Sequence, residues 1–171
     1  MKKNDCDVLI LGTGIAGLTA AIKLSRELKI IIVTREKDPN ITNTFWAQGG
    51  VIYSKPEWDD PNLLKNDIQL ASSNTSNQAA IDTLVEKSSS ILEEILFNNA
   101  QTEFTQKDGR LAFTKEAAHS TNRIIYKDDC TGKSIQISLL NYLKRQENVV
   151  ILSSHTAVSY THLRAHETRH D

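Results

Sequence analysis

An α/β fold, a parallel sheet with flanking helices, is what this sequence predicts, and three observations predict it. The apolar run Val8-Leu9-Ile10-Leu11 reads as a buried strand. Gly12-x-Gly14-x-x-Gly17 follows with no spacer and opens a helix. A second β-branched run, Ile30 to Val33, comes after that helix and completes strand, helix and strand in about thirty residues.

The glycine spacing carries the first functional reading. At a strand-to-helix turn, Gly12 permits the tight bend, Gly14 lets backbone approach a pyrophosphate, and Gly17 lets the helix pack on the sheet. The phosphates of a dinucleotide would sit on free N–H groups at the positive end of the helix dipole, which makes Thr13, Ile15 and Ala16 candidate contacts as well. The helix is expected over Ile15 to Leu28, with Leu18, Ala21, Ile22, Leu24 and Leu28 on its apolar face. At the end of the second strand, Thr34-Arg35 stands where a ribose-binding carboxylate is usual, and Glu36 comes only after it. That departure argues against a plain NAD enzyme, while a basic residue there would also suit the 2′-phosphate of NADP.

Composition narrows the partners. With 20 basic and 21 acidic residues among 171, the net charge of −1 gives no electrostatic case for nucleic acid or an anionic membrane. No apolar run approaches the roughly 20 residues of a membrane span. The N-terminus runs into a strand rather than a signal-peptide core, so the expected compartment is the cytoplasm. Cys6 and Cys130 stand in no CxxC or metal-ligand spacing and read as free thiols, Cys6 packed at the lip of the first strand. No metal is expected.

Past a turn at Lys37 to Asn40, the stretch Asn43-Thr44-Phe45-Trp46-Ala47-Gln48-Gly49-Gly50-Val51 has neither strand nor helix periodicity. Its hydroxyl and amide side chains, paired aromatics and Gly-Gly suit a loop lying along a ligand, or an aromatic-anchored surface loop.

Together, the strand–GTGIAG–helix unit, the Thr34-Arg35 end of the second strand and the segment Asn43 to Gly50 resemble the flavoprotein family of L-aspartate oxidase and the succinate dehydrogenase/fumarate reductase flavoprotein subunits. The resemblance implies a Rossmann-like FAD-binding fold, here incomplete. It places the glycine loop on the pyrophosphate, Arg35 near the adenosine and Ala47-Gln48-Gly49-Gly50 beside the isoalloxazine, with Asn43, Thr44, Phe45 and Trp46 leading into that loop. The dehydrogenase subunits carry a flavin-linking histidine where this chain has Asn43. Asparagine cannot form that bond, so the implied FAD is noncovalent, which points toward the aspartate oxidase side of the family.

Tyr53 to Leu63 reads as a polar excursion before a short helix over about 62–71. Thr75-x-x-Gln78 looks like a capping box for the next helix. In that helix Ile81, Leu84, Val85, Ile91, Leu92, Ile95 and Leu96 fall at helical spacing, with Asp82, Glu86, Glu93 and Glu94 expected on a solvated face. After Asn98-Asn99, Phe104 to Phe113 reads as a hairpin turning at Asp108-Gly109.

Thr114 to Ile125 then crowds Glu116, His119, Ser120 and Arg123 into an extended loop. By composition it suits gripping a small polar anion or amine, and equally a solvated loop. It is similar to the Thr-(basic)-Glu-small-small-His-Ser…Arg segment of aspartate oxidases, whose glutamate orients the substrate's α-amino group. That role falls on Glu116. A carboxylate hydrogen-bonded to an ammonium selects an amino acid over a plain dicarboxylate. His119, Ser120 and Arg123 are assigned only to the substrate or flavin neighbourhood.

A helix over about 133–146, with Ile135, Leu139, Tyr142 and Leu143 inward, leads to a buried strand at Val149 to Ser153. By the resemblance, backbone after this strand lies against the FAD adenine, making Thr156 and Ala157 candidate contacts. From Ser159 the chain changes character. His166-Glu167-x-x-His170 fits a zinc-protease pattern with His162 one turn earlier, but the stretch has no supporting fold and resembles translated sequencing-adapter sequence.

Residues 1–158 are therefore read as the N-terminal part of an FAD-binding domain and 159–171 as a non-native tail, with capping and C-terminal domains absent. The implied activity is oxidation of L-aspartate to iminoaspartate, hydride passing to flavin N5 and the flavin reoxidised by oxygen or fumarate. The product would feed quinolinate synthase, a candidate partner, in NAD synthesis. Without the downstream arginine and histidine groups, the polypeptide alone is expected to be inactive. A fumarate reductase- or succinate dehydrogenase-like flavoprotein with noncovalent FAD, and a non-catalytic FAD-binding fragment, are the alternatives.

Overall fold

The computed structural model describes residues 5–158; the His-rich tail, with its zinc-protease pattern, lies outside the described residues. Strands β1 (Val8–Leu11), β2 (Ile30–Val33) and β8 (Val149–Leu152) form a parallel sheet in the order β1-β2-β8. The register aligns Val8, Ile30 and Val149 in one row and Ile10, Ile32 and Ile151 in another. These rows pack under helices α1 (Ile15–Leu24) and α5 (Thr131–Lys144), whose Leu18, Ala21, Ile22, Leu139, Leu140 and Leu143 are buried. This is the α/β architecture expected.

The first and last strands are only half-buried, a correction to the sequence reading. Leu9 is 41% exposed, Leu11 51% and Val150 46%, because side chains alternate across a strand and the helices described cover one face. Helix α1 also stops four residues short of the expected Leu28. The Ser25 hydroxyl turns back to Ile22 O, and Asn148 Nδ2 donates to both Ser25 O and Leu28 O, each at 2.6 Å, so a residue from before β8 closes the turn.

Residues 43–46 form a short helix, α2 (Asn43–Trp46), where a loop was expected, because the Thr42 hydroxyl caps it by accepting from Phe45 N. Next come β3 (Val51–Ile52), α3 (Pro61–Ala71) and α4 (Gln78–Leu92). The cap of α4 is Asn77, whose side chain accepts from Ala80 N; Thr75 instead donates to Ser72 O. The expected capping box is therefore absent.

Helix α4 continues as a π-helix over Glu93–Asn99. This wider winding keeps Ile95 and Leu96 in the core while Leu84 and Ile91 are exposed. It also turns Glu93 to Tyr53 and Lys55 and Glu94 to Lys23 and Arg26, so neither belongs to a merely solvated face. Strands β4 (Gln106–Lys107) and β5 (Arg110–Leu111) make the expected hairpin, with Asp108 and Gly109 at positive φ in its turn. Strands β6 (Phe113–Thr114) and β7 (Ile124–Ile125) pair antiparallel and, with β3, form a second sheet in the order β3-β7-β6.

Candidate functional site

The glycine turn is built as its spacing demands. Gly12 has φ +106°, a conformation that needs glycine, and a Cβ on Gly17 would lie 2.2 Å from Gly12 O, so α1 packs against the turn only because that residue has no side chain. No atom lies within 4 Å of where a Gly12 Cβ would be, which leaves the backbone open to an approaching group. A groove of about 470 Å³ lies over this turn. Gly12, Thr13 and Gly14 form its floor, Asn43 and Thr44 one wall, and Arg35, Glu36, His155 and Ala157 the far end.

Ile15 N–H is not free for a phosphate, because Thr44 Oγ1 accepts from it at 3.1 Å. Since that hydroxyl accepts there, its own proton remains to donate into the groove. The far end also differs from expectation. Glu36 lines the groove, its carboxylate held by Arg35 Nε at 3.0 Å and its carbonyl accepting from Ser154 N, so a carboxylate does stand near the usual ribose position. The post-strand contacts are His155 and Ala157; Thr156, between them, is exposed and does not line the groove. Thr42, Glu36 and His155 were missed from sequence. Glu36 had a signal in its carboxylate three residues past the strand.

The residues fit a dinucleotide. The Thr13 hydroxyl is buried with no hydrogen-bond partner, the turn is open above Gly12, and a helix's first N–H groups have no partner within the helix. Gly17 lies inside α1 and serves the packing, while Ala16, in the same first turn, is exposed.

The segment 43–50 runs from this groove to a second group of residues. Phe45 lies edge-on to Trp46, with Lys133 Nζ 5.7 Å from its ring centre, while Trp46 is 68% exposed. Ala47 O accepts from Gly132 N at 2.9 Å, and Gln48 is exposed. At the far end stands Glu116: a Cβ on Gly49 would be 3.6 Å from its Oε2, and one on Gly50 3.4 Å from its Oε1. The exposed carboxylate therefore lies over the Gly49-Gly50 backbone, and the loop 115–122 and the segment 43–50 meet there.

Of the other loop residues, Arg123 is fully buried and does not face the site as a ligand. Its Nε donates to Asp59 Oδ2 at 2.6 Å, its second fork donates to Asp59 Oδ1 at 3.0 Å, and its remaining nitrogen pairs with Asp67. Asp67 Oδ2 also accepts from Ser120 N and Ser120 Oγ, both at 2.9 Å, and Asp59 Oδ1 accepts from Thr121 Oγ1 at 3.3 Å. Ser120 and Arg123 thus hold the loop to α3 and to the turn before it. His119 Nδ1 lies 3.2 Å from an Arg123 nitrogen. An arginine can only donate, so Nδ1 accepts and the imidazole proton sits on Nε2.

Burial pushes the Asp59 carboxyl up, but hydrogen bonds from Arg123, Ser54 and Thr121 and the guanidinium charge outweigh it and hold it below its ordinary value. The same balance, with the Ser120 backbone N–H foremost among the opposing bonds, lowers Asp67. Neither aspartate was singled out from sequence, where both sit in ordinary polar runs.

Residues 7–165 match the family model described as FAD binding domain. Over 153 residues the chain is 36% identical to an L-aspartate oxidase of Halobacterium salinarum, covering 89% of this chain and 29% of that protein. Over 160 residues it is 34% identical to one of Clostridium perfringens, covering 94% and 36%. The chain thus spans about a third of the length of these curated relatives. Among solved structures, an E. coli quinol fumarate reductase superposes with a TM-score of 0.80 at 19% identity, covering 90% of this chain and 26% of that one, and a likeness at that identity speaks for the fold alone. Among the described residues no helix is long and apolar enough to cross a membrane.

Proposed function

The chain belongs to the FAD-binding-domain family, and from that membership we propose that it is the cofactor-binding part of an L-aspartate oxidase, a flavoenzyme that converts L-aspartate to iminoaspartate. Its relatives and family make FAD the cofactor. The observation that carries the substrate reading is the carboxylate of Glu116 over the Gly49-Gly50 backbone.

FAD, when bound, supplies the acceptor for the hydride that leaves the substrate Cα. The chain's own residues bind and orient. Thr13, the glycine turn and the Thr44 hydroxyl would hold the pyrophosphate, and Arg35, Glu36, His155 and Ala157 the adenosine. Ala47 to Gly50 would lie toward the ring. Glu116 accepts hydrogen bonds from the α-ammonium, so an amino acid is bound where a dicarboxylate lacking the amine gains nothing from the same group. Asn43, at the start of α2 on the groove wall, offers an amide with no chemistry for a flavin bond, so the cofactor is held noncovalently.

The reading places capping and C-terminal domains, with further substrate-binding groups, in the complete protein. Once reduced, the bound cofactor would give its electrons to oxygen or fumarate, and the iminoaspartate would go on to quinolinate synthase. The test is an assay of the complete enzyme with L-aspartate and either acceptor. Iminoaspartate formation supports the reading; fumarate reduction by a reduced dye, with no turnover of L-aspartate, would instead make it a fumarate reductase-like flavoprotein.

A further inference from the structure

We propose that Gln136, on α5, is a positioning residue that sets the phosphate side of the cofactor groove. The inference rests on the FAD reading above and concerns a residue that lies outside the groove lining.

Gln136 is fully buried. Its helix is otherwise apolar on this side, with Ile135, Leu139 and Leu140 around it in sequence, and an amide taken out of water there is costly unless its hydrogen bonds are remade. They are remade with two separate parts of the groove. Nε2 donates to Thr13 O, in the glycine turn, at 2.8 Å and to Pro39 O at 3.3 Å. Oε1 accepts from Thr42 Oγ1 at 3.1 Å. That hydroxyl in turn accepts from Phe45 N at 3.2 Å and caps α2. Helix α2 delivers Thr44, whose Oγ1 accepts from Ile15 N at 3.1 Å.

One side-chain amide therefore ties the floor of the groove to the start of the wall that faces it, and the wall closes back onto the first turn of α1. The directions are fixed at every link: Thr42 has one proton, given to Gln136, and a lone pair, given to Phe45 N–H. With an apolar residue at 136, Thr13 O and the Thr42 hydroxyl lose their partner, and the spacing between glycine turn and Thr44 is no longer set. The adenosine end is held differently, by backbone at the ends of β2 and β8, where Thr34 N donates to Leu152 O and His155 N to Thr34 O. Loss of Gln136 should thus weaken ligands that carry phosphates and spare those that do not.

The experiment measures dissociation constants of FAD, ADP and adenosine for the purified 171-residue chain, by ligand-observed NMR, in the parent and in Gln136→Leu and Thr42→Val. FAD and ADP are expected to bind about tenfold more weakly in the variants, with adenosine changed by less than about twofold. Thr42→Val carries the test if Gln136→Leu does not fold. The ratio of ADP to adenosine affinity is the deciding quantity, since a general loss of folded protein lowers both together. A parent that binds FAD with an unchanged ratio in the variants overturns the positioning role and leaves the cofactor reading standing; so does an equal loss of all three ligands. A parent that binds neither FAD nor ADP overturns both.

Discussion

Arg123 Nε and Asp59 Oδ2 lie 2.6 Å apart with both side chains almost wholly out of solvent, and Asp67 closes the same guanidinium from the other side. Two carboxylates and one guanidinium leave a surplus negative charge, which the Ser120 backbone N–H and the Ser120 and Thr121 hydroxyls offset. A cluster of this kind is worth little as a net gain and a great deal when broken, because removing one member strands buried charge.

Arg123→Met and Asp67→Asn are each expected to destabilise the chain by about 3–5 kcal/mol. Urea denaturation would show it as a lower midpoint with an unchanged slope. Arg123→Lys should not restore stability, since an ammonium cannot span Asp59 in two bonds and reach Asp67 as well. Losses below about 0.5 kcal/mol would mean that the loop is anchored elsewhere.

The same cluster sets an acid limit. Asp59 and Asp67 are both held below their ordinary value of 3.8, so near that pH the unfolded chain binds more protons than the folded one. Their contribution is fully present above the unfolded value and is lost as the pH falls from there through the folded values. Melting temperature measured between neutral and acid pH should therefore drop steeply below about pH 4, and Asp67→Asn should flatten part of that slope. An identical slope in the variant would remove Asp67 from the linkage.

Glu116 is exposed and holds nothing together, so Glu116→Gln should leave stability within about 0.5 kcal/mol of the parent. In the complete enzyme it should raise KM for L-aspartate about tenfold or more, and that for fumarate by less than about twofold, because only the amino acid presents an ammonium. Equal effects on the two would take Glu116 out of amine recognition.

At Gly17 the test is steric. Gly17→Ala puts a methyl 2.2 Å from a backbone carbonyl that cannot swing aside, so α1 must move off the turn. The expected cost is about 1–3 kcal/mol, with FAD binding lost alongside it. Unaltered FAD affinity would show that the turn tolerates a wider α1.

For Asn43, acid precipitation of the FAD-loaded protein should release all of the flavin into the supernatant. Yellow colour retained in the washed pellet would mean a covalent link through some other side chain.

How much of this was legible in the sequence follows from the range of the interactions. The strand, glycine turn, helix and second strand were readable because their signal is local, three glycines and two apolar runs within a short span. The placing of Glu116 came from the likeness of its segment to aspartate oxidases. Arg123 drew notice in that segment, but its partners are 64 and 56 positions away in polar runs with no periodicity to mark them. Gln136 is farther still, 123 positions from Thr13. The early end of α1 has the same origin, since Asn148 supplies the closing bonds from a distant loop. At the end of β8 the error was one of phase: His155 and Ala157 line the groove while Thr156, between them, does not.

Leu9, Ile31 and Val150 form a transverse row across the sheet, on the side away from α1 and α5, and its two outer members are open to water. In the test tube that row is a handling property. A strip of aliphatic side chains over paired backbone is an adhesive surface, one that takes up fluorescent hydrophobic dyes, retards the protein on phenyl resins and lowers the concentration at which it stays dispersed. Buffers for the binding experiments above should be chosen with that colloidal behaviour in mind, and Leu9→Lys or Val150→Thr, both on the face opposite the helices and away from the groove, are the substitutions that would quiet it.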